Sequence, residues 1–136
     1  MHKEVIKKIL DYMEKNLEND IDLDKISREA GYSKYHLNRL FTEETGCTIH
    51  KYLRCRRLSV AAEKLVETDI PISQIAYEAG YSSQQAFTLA FREIYLCTPQ
   101  KYRKSGIFKP RQNRISMIYE FETYLASIKN TEAKAA

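Results

Sequence analysis

The sequence predicts an all-α fold built as two helix-turn-helix subdomains joined by a long linker helix, and three observations carry that expectation. The segment from Ile26 to Ser33, ISREAGYS, recurs from Ile75 to Ser82 as IAYEAGYS at an offset of 49 residues. Apolar residues along the chain recur at three- and four-residue intervals, the period of a helix with one buried face. Only four Gly and three Pro among 136 residues leave little material for the frequent tight turns of an all-β fold.

Val5, Ile6, Ile9, Leu10, Met13 and Leu17 give an amphipathic opening helix that can close the core of the first unit. Asp22 is a capping residue type, and Leu23, Ile26 and Ala30 follow it at helical spacing. Gly31 ends that short helix, because glycine suits the left-handed conformation just past a helix end. Ser33 then offers a side-chain oxygen to the next helix, whose buried stripe is Leu37, Leu40 and Phe41. Helix, short glycine-containing turn, helix is the helix-turn-helix pattern. A longer linker helix runs from Thr48 to about Glu67, with Ile49, Tyr52, Leu53, Ala61, Ala62 and Leu65 apolar, until Asp69, Ile70 and Pro71 break it.

The second copy repeats the unit with Ile72, Ile75, Ala76 and Ala79, then Gly80, then Ser82 as the cap, then Phe87, Phe91 and Ile94. One residue inserted after Ser82 restores the match at an offset of 50: Leu37 with Phe87, Phe41 with Phe91, Cys47-Thr48 with Cys97-Thr98, Lys51-Tyr52 with Lys101-Tyr102. Thr98 followed by Pro99 at the first helical position opens a short closing helix through Lys104. Seven helices thus account for residues 3 to about 105, with the first subdomain at 3–47, the linker helix at 48–67 and the second subdomain at 68–107. Residues 108–136 are a basic then amphipathic tail. Ile115, Ile118, Phe121, Leu125 and Ile128 predict a C-terminal tail helix there.

Apolar residues at 43% and charged residues at 29% describe a packed globular protein. No apolar run is long enough for a membrane span, and Met1 to Lys8 lacks the apolar stretch of a secretory signal, so a cytoplasmic location is expected. Three cysteines, Cys47, Cys55 and Cys97, without CxxC spacing favour neither a disulfide framework nor a zinc site. The net charge of +4 is small, but the charge is segregated. Seven acidic residues face three basic ones between Asp11 and Glu29, whereas Lys101 to Arg114 holds six basic residues and no acidic one. No HExxH, P-loop, GxSxG or two-metal carboxylate cluster is present, so neither catalysis nor a cofactor is expected.

The paired motifs EAGYSKYHLNRLF and EAGYSSQQAFTLAF, followed by TPQKYR, resemble the DNA-binding domain of AraC/XylS-type transcription regulators, and within that family its stand-alone MarA/SoxS/Rob-type members. The resemblance covers residues 3 to about 105. It implies an all-helical monomer whose linker helix lets both recognition helices enter one face of promoter DNA. It further implies activation of stress or drug-tolerance genes through contacts with RNA polymerase; many relatives have a ligand-binding domain elsewhere, but none fits in this chain, so no small-molecule ligand is expected.

By that resemblance Tyr35, Asn38 and Arg39 face the bases. The chemistry agrees: arginine can bond guanine O6 and N7, asparagine can pair with adenine, and a tyrosine ring can pack on a thymine methyl or a sugar. The corresponding residues of the second copy are Gln84, Gln85, Thr88 and Leu89. Leu89 stands where the first copy has Arg39 and where MarA-like members carry arginine, so the second unit is expected to discriminate less strongly or to favour an A·T-rich half-site. Phosphate contacts are expected from Lys34, Arg54, Arg103 and the helix start at Thr98 to Gln100. Arg56 and Arg57 read equally well as solvated linker surface, and His36 as a phosphate contact or plain helix surface. Two competing readings remain: a redox sensor using Cys47 and Cys97, each just ahead of a helix cap, or the DNA-binding part of a larger effector-responsive regulator.

Overall fold

Seven α-helices and no strand make up residues 3–108, the part of the chain that the computed structural model describes. The expected tail helix lies outside the described residues. The opening helix α1 (Lys3–Lys15) buries Ile6, Ile9, Leu10 and Met13 on one face. Leu17 and Ile21 are buried too, although they lie in the connection after the helix rather than on it. Asp22 then caps α2 (Leu23–Ala30), its carboxylate accepting from the Lys25 N–H at 2.9 Å. Gly31, at φ +77°, turns the chain out of α2, and the N–H groups of Gly31 and Tyr32 both donate to the Ser27 carbonyl.

Ser33 caps α3 (Lys34–Thr45) as the sequence predicts, its Oγ accepting from the His36 N–H at 3.2 Å. Leu37, Leu40 and Phe41 point into the core. After Gly46 comes α4 (Ile49–Glu67), whose first turn is capped by Thr48 Oγ1 accepting from the Lys51 N–H at 3.2 Å. The described residues divide into two compact units, and the division falls inside α4, after Leu53. The first residues of the helix, through Leu53, belong to the first unit and the rest of it to the second. Ile49, Tyr52 and Leu53 are buried in the first unit, and the Tyr52 ring meets Phe41 edge-on at 5.8 Å while its hydroxyl donates to Glu14 at 2.8 Å.

The second unit holds the rest of α4 with α5 (Ile72–Glu78), α6 (Gln84–Tyr95) and α7 (Pro99–Ser105). Cys55, Leu58, Ala61, Ala62 and Leu65 supply the buried side of α4, of which the apolar spacing had missed the first two. Phe87, Phe91, Tyr95 and Tyr102 form an aromatic core: Phe91 stacks on Tyr95 at 4.5 Å and Tyr102 meets both edge-on at 5.3 and 5.1 Å. Such ring pairs each contribute about 0.5–1.5 kcal/mol beyond their buried area. Thr98 caps α7 through the Lys101 N–H at 3.1 Å, with Pro99 at the first helical position as expected.

One capping expectation is corrected. Ser83, not Ser82, caps α6, its Oγ accepting from the Ala86 N–H at 3.1 Å. The inserted residue therefore falls before the cap. Ser33 pairs with Ser83, and α6 matches α3 position by position at an offset of 50.

Candidate nucleic-acid interface

In each unit the longer helix of the motif turns its polar side outward, because the apolar stripe on its other side is spent in the core. On α3 the exposed side carries Lys34, Tyr35 and Arg39, with Tyr35 79% exposed. Lys34, Tyr35, Asn38, Arg39 and Thr42 line a shallow groove together with Leu23 from the start of α2. Both cations of this surface have carboxylates beside them. Lys34 pairs with Asp24 at 2.9 Å and Arg39 with Glu43 at 3.5 Å, one helical turn on. The Lys34 bond holds the Asp24 carboxyl below its ordinary range and the Lys34 ammonium above its own. All four side chains are more than half exposed, so these are weak pairs that an incoming phosphate or base edge can displace.

The exposed side of α6 carries Gln84, Gln85 and Leu89, with Thr88 half-buried. Leu89 is 68% exposed at the position equivalent to Arg39, an apolar side chain on the outer face of the helix rather than in the core. Glu93, equivalent to Glu43, has no arginine one turn before it and instead binds Arg54 of α4. That bond, with a lesser one that the guanidinium donates to the Tyr81 hydroxyl oxygen, holds the Arg54 pKa above its ordinary value. Arg54 thus stands braced against α6, its charge partly neutralised.

The remaining predicted residues have other work in the fold. Asn38 is half-buried, and its Oδ1 accepts from the Ile49 N–H at 3.0 Å. Arg103 donates from Nε to the Leu65 carbonyl at 2.9 Å and from Nη2 to the Ile70 carbonyl at 2.6 Å, tying α7 to the end of α4. Gln100 lies exposed in the first turn of α7, where Pro99 has no N–H and Thr98 occupies that of Lys101. The His36 ring meets Tyr32 edge-on at 5.2 Å. Arg57 lies over the turn glycine of the second copy: a Cβ on Gly80 would approach its Nη1 to 3.3 Å. The Cys47 thiol is buried and donates to the Thr48 carbonyl at 3.2 Å. Among the described residues no cluster of His, Cys, Asp or Glu is arranged to hold a metal ion, and no helix is long and apolar enough to cross a membrane.

A family model described as a helix-turn-helix domain matches residues 26–105, which take in both copies of the motif and the helix between them. A solved transcriptional regulator with an AraC-type DNA-binding domain from Chromobacterium violaceum shares the fold with a TM-score of 0.72 at 30% identity, over 76% of this chain and 93% of that one. This chain belongs to the AraC-type helix-turn-helix family. It is a DNA-binding transcription regulator and not an enzyme.

The AraC-type chain is 41% identical over 102 residues to the multiple antibiotic resistance protein MarA of Escherichia coli K12, covering 75% of this chain and 80% of that one. It is 40% identical over 108 residues to the Tn10 TetD protein of Escherichia coli, covering 79% and 78%. It is 43% identical over 101 residues to the Escherichia coli K12 right origin-binding protein, but there it spans only 35% of the relative's length. The DNA-binding domain of AdpA, solved in complex with a target DNA, shares the fold with a TM-score of 0.68 at 23% identity, over 74% of this chain and 90% of that one.

Sequence reasoning overlooked Asp24, Glu43 and Glu93, the carboxylates beside the predicted cations. For Glu43 and Glu93 a signal was present, since each lies four residues after an outward position, Arg39 or Leu89, the spacing at which helix side chains meet. Asp24 had none, because its contact with Lys34 crosses from α2 to α3.

Proposed function

We propose that this regulator is a sequence-specific activator of stress or multidrug-tolerance genes, which binds as a monomer with α3 and α6 in two adjacent major-groove segments and contacts RNA polymerase. The observation that carries the reading is the doubled outward face: Tyr35 and Arg39 on α3 and Gln85 and Leu89 on α6 occupy equivalent exposed positions of two equally capped helices. Two reading helices on one chain supply what a two-fold symmetric regulator obtains from two subunits. Because the two faces differ chemically, the site they read need not be palindromic. Likeness to the multiple antibiotic resistance protein supports the choice of target genes. Lys34, Arg54, Gln100 and Arg103 are the proposed phosphate contacts, with Arg39 suited to guanine and the glutamines of α6 to adenine.

Selection of bound duplexes from a random pool tests the proposal. It should return two blocks of base preference whose centres lie about one duplex turn, roughly 34 Å, apart. Arg39→Ala should erase preference in one block and Gln85→Ala in the other. A single block, or loss of both from either substitution, refutes insertion of two independent reading helices. Transcription from a promoter bearing the selected site, reconstituted with purified polymerase, should rise on adding the protein. Reduced transcription at every placement of the site refutes activation.

A further inference from the structure

Asn38 stands on the reading helix but reaches backward. Its Oδ1 accepts from the N–H of Ile49, the first residue of α4, at 3.0 Å. The first amides of a helix have no partner within the helix, and Ile49 is 1% exposed, so little water is at hand to satisfy its N–H. The Lys51 amide in the same turn is already satisfied by Thr48. Asn38 closes the position that Thr48 does not reach.

The second copy gives an independent observation. At the offset of 50, Ile49 corresponds to Pro99 and Asn38 to Thr88, while Thr48 and Thr98 keep the same capping bond. Proline has no N–H and needs no acceptor there. The unit with a donor at the start of the next helix has asparagine on the reading helix, and the unit without one has threonine. A capping duty requires the two positions to change together; a duty to read a base gives no reason for it.

We propose that Asn38 is a positioning residue, which locks α3 to the first turn of α4 and leaves base reading in the first unit to Tyr35 and Arg39. The proposal rests on the reading of α3 as a DNA-recognition helix. To read adenine in two hydrogen bonds, asparagine must present its carbonyl oxygen and its amide nitrogen side by side to the base edge. Here Asn38 borders the same groove as Tyr35 and Arg39, but its carbonyl oxygen is taken by the Ile49 N–H and is not offered beside the amide nitrogen. The bond sets the angle at which the face of Tyr35 and Arg39 is offered, so its loss should loosen the helix without changing which bases are preferred.

Two substitutions in the full chain separate positioning from reading. Asn38→Asp keeps an acceptor for Ile49 but has no amide donor for adenine N7. Asn38→Ala has neither. Hydrogen exchange at the Ile49 amide should stay as slow as in the wild type in Asn38→Asp and speed up roughly fivefold or more in Asn38→Ala. Selection from the random pool should return the wild-type base pattern with both variants, the Asp form binding more weakly at every sequence because it adds negative charge near phosphates. Unchanged Ile49 exchange in Asn38→Ala overturns the proposal. So does loss of preference at one base pair in both variants, or a switch in Asn38→Asp toward cytosine, whose N4 amine a carboxylate accepts. If Asn38→Ala unfolds the first unit, Asn38→Asp decides alone by the same readouts. A wild-type protein that enriches no sequence refutes the DNA-recognition reading itself, and the Ile49 amide still reports whether Asn38 holds α4.

Discussion

Equivalent residues of the two copies show where one residue type carries a cost that the other avoids. Gly46 and Leu96 both follow the longer helix of their motif, and both adopt left-handed backbone, at φ +77° and +62°. Glycine takes that conformation without penalty, whereas a side chain with a Cβ pays about 1–2 kcal/mol. The Leu96 side chain recovers little by packing, since it is 74% exposed. Replacing it with glycine removes the strain but also loosens the unfolded chain, an opposing cost of about 0.5–1 kcal/mol. Leu96→Gly should therefore raise the urea midpoint of unfolding, with a net gain of about 0.5–1 kcal/mol. An unchanged or lower midpoint would show that Leu96 is held by contacts its exposure does not reveal.

Among the elements, α5 depends most on its neighbours. It has seven residues, and Pro71 at its start makes no side-chain cap. An isolated helix of that length is unstable in water. Apart from its buried Ile75 and Ala76, it is held to α4 by Glu78, whose carboxylate accepts from Lys64 at 2.8 Å and from Gln74 at 3.2 Å. These bonds, that of Lys64 first, lower the Glu78 pKa from its ordinary 4.5. A carboxyl whose folded pKa is depressed stabilises the fold above its unfolded pKa, and that contribution is lost as pH falls through the folded value. Glu78→Gln should cost about 0.5–1 kcal/mol at pH 7, and the difference from wild type should shrink below about pH 4. An equal gap in thermal unfolding at pH 7 and pH 3 would show that the ion pair contributes nothing. The matching glutamate of the first copy, Glu29, is exposed. The motif letters are the same, but only the second copy has the Lys64 partner.

For the molecule as a whole, the differences between its two copies matter as much as the repeat. The first unit offers a cation with a carboxylate one turn along, Arg39 with Glu43. The second offers Leu89, and its Glu93 is engaged by Arg54. If both faces read bases as proposed, their unlike chemistry should produce half-sites of unlike sequence and unlike stringency. Leu89→Arg restores the first unit's arrangement in the second. It should create a preference for guanine in the second block, by about 1–3 kcal/mol where a two-bond contact forms. The new arginine also competes with Arg54 for Glu93, so overall affinity should rise more than one added charge explains. A second block with unchanged base preference in the random-pool selection would show that position 89 does not face the bases.

The seven helices, their glycine turns and most of their caps were legible in the sequence, because these features depend on residues within a few positions of one another. Asp22, Ser33 and Thr98 cap where their spacing to the next apolar stripe says they should. Ser82 and Ser83 are adjacent and chemically identical, so only backbone geometry chose Ser83. The outward positions Tyr35, Arg39, Gln85 and Leu89 followed from the same periodicity. What tertiary structure alone decided is which polar residues already have partners. Asn38 holds Ile49 across 11 positions, Arg54 meets Glu93 across 39, and Arg103 reaches Leu65 across 38. Helical periodicity tells which way a side chain points. A hydrogen bond between helices depends on which atoms packing brings within 3 Å, and no local spacing in the sequence encodes that distance.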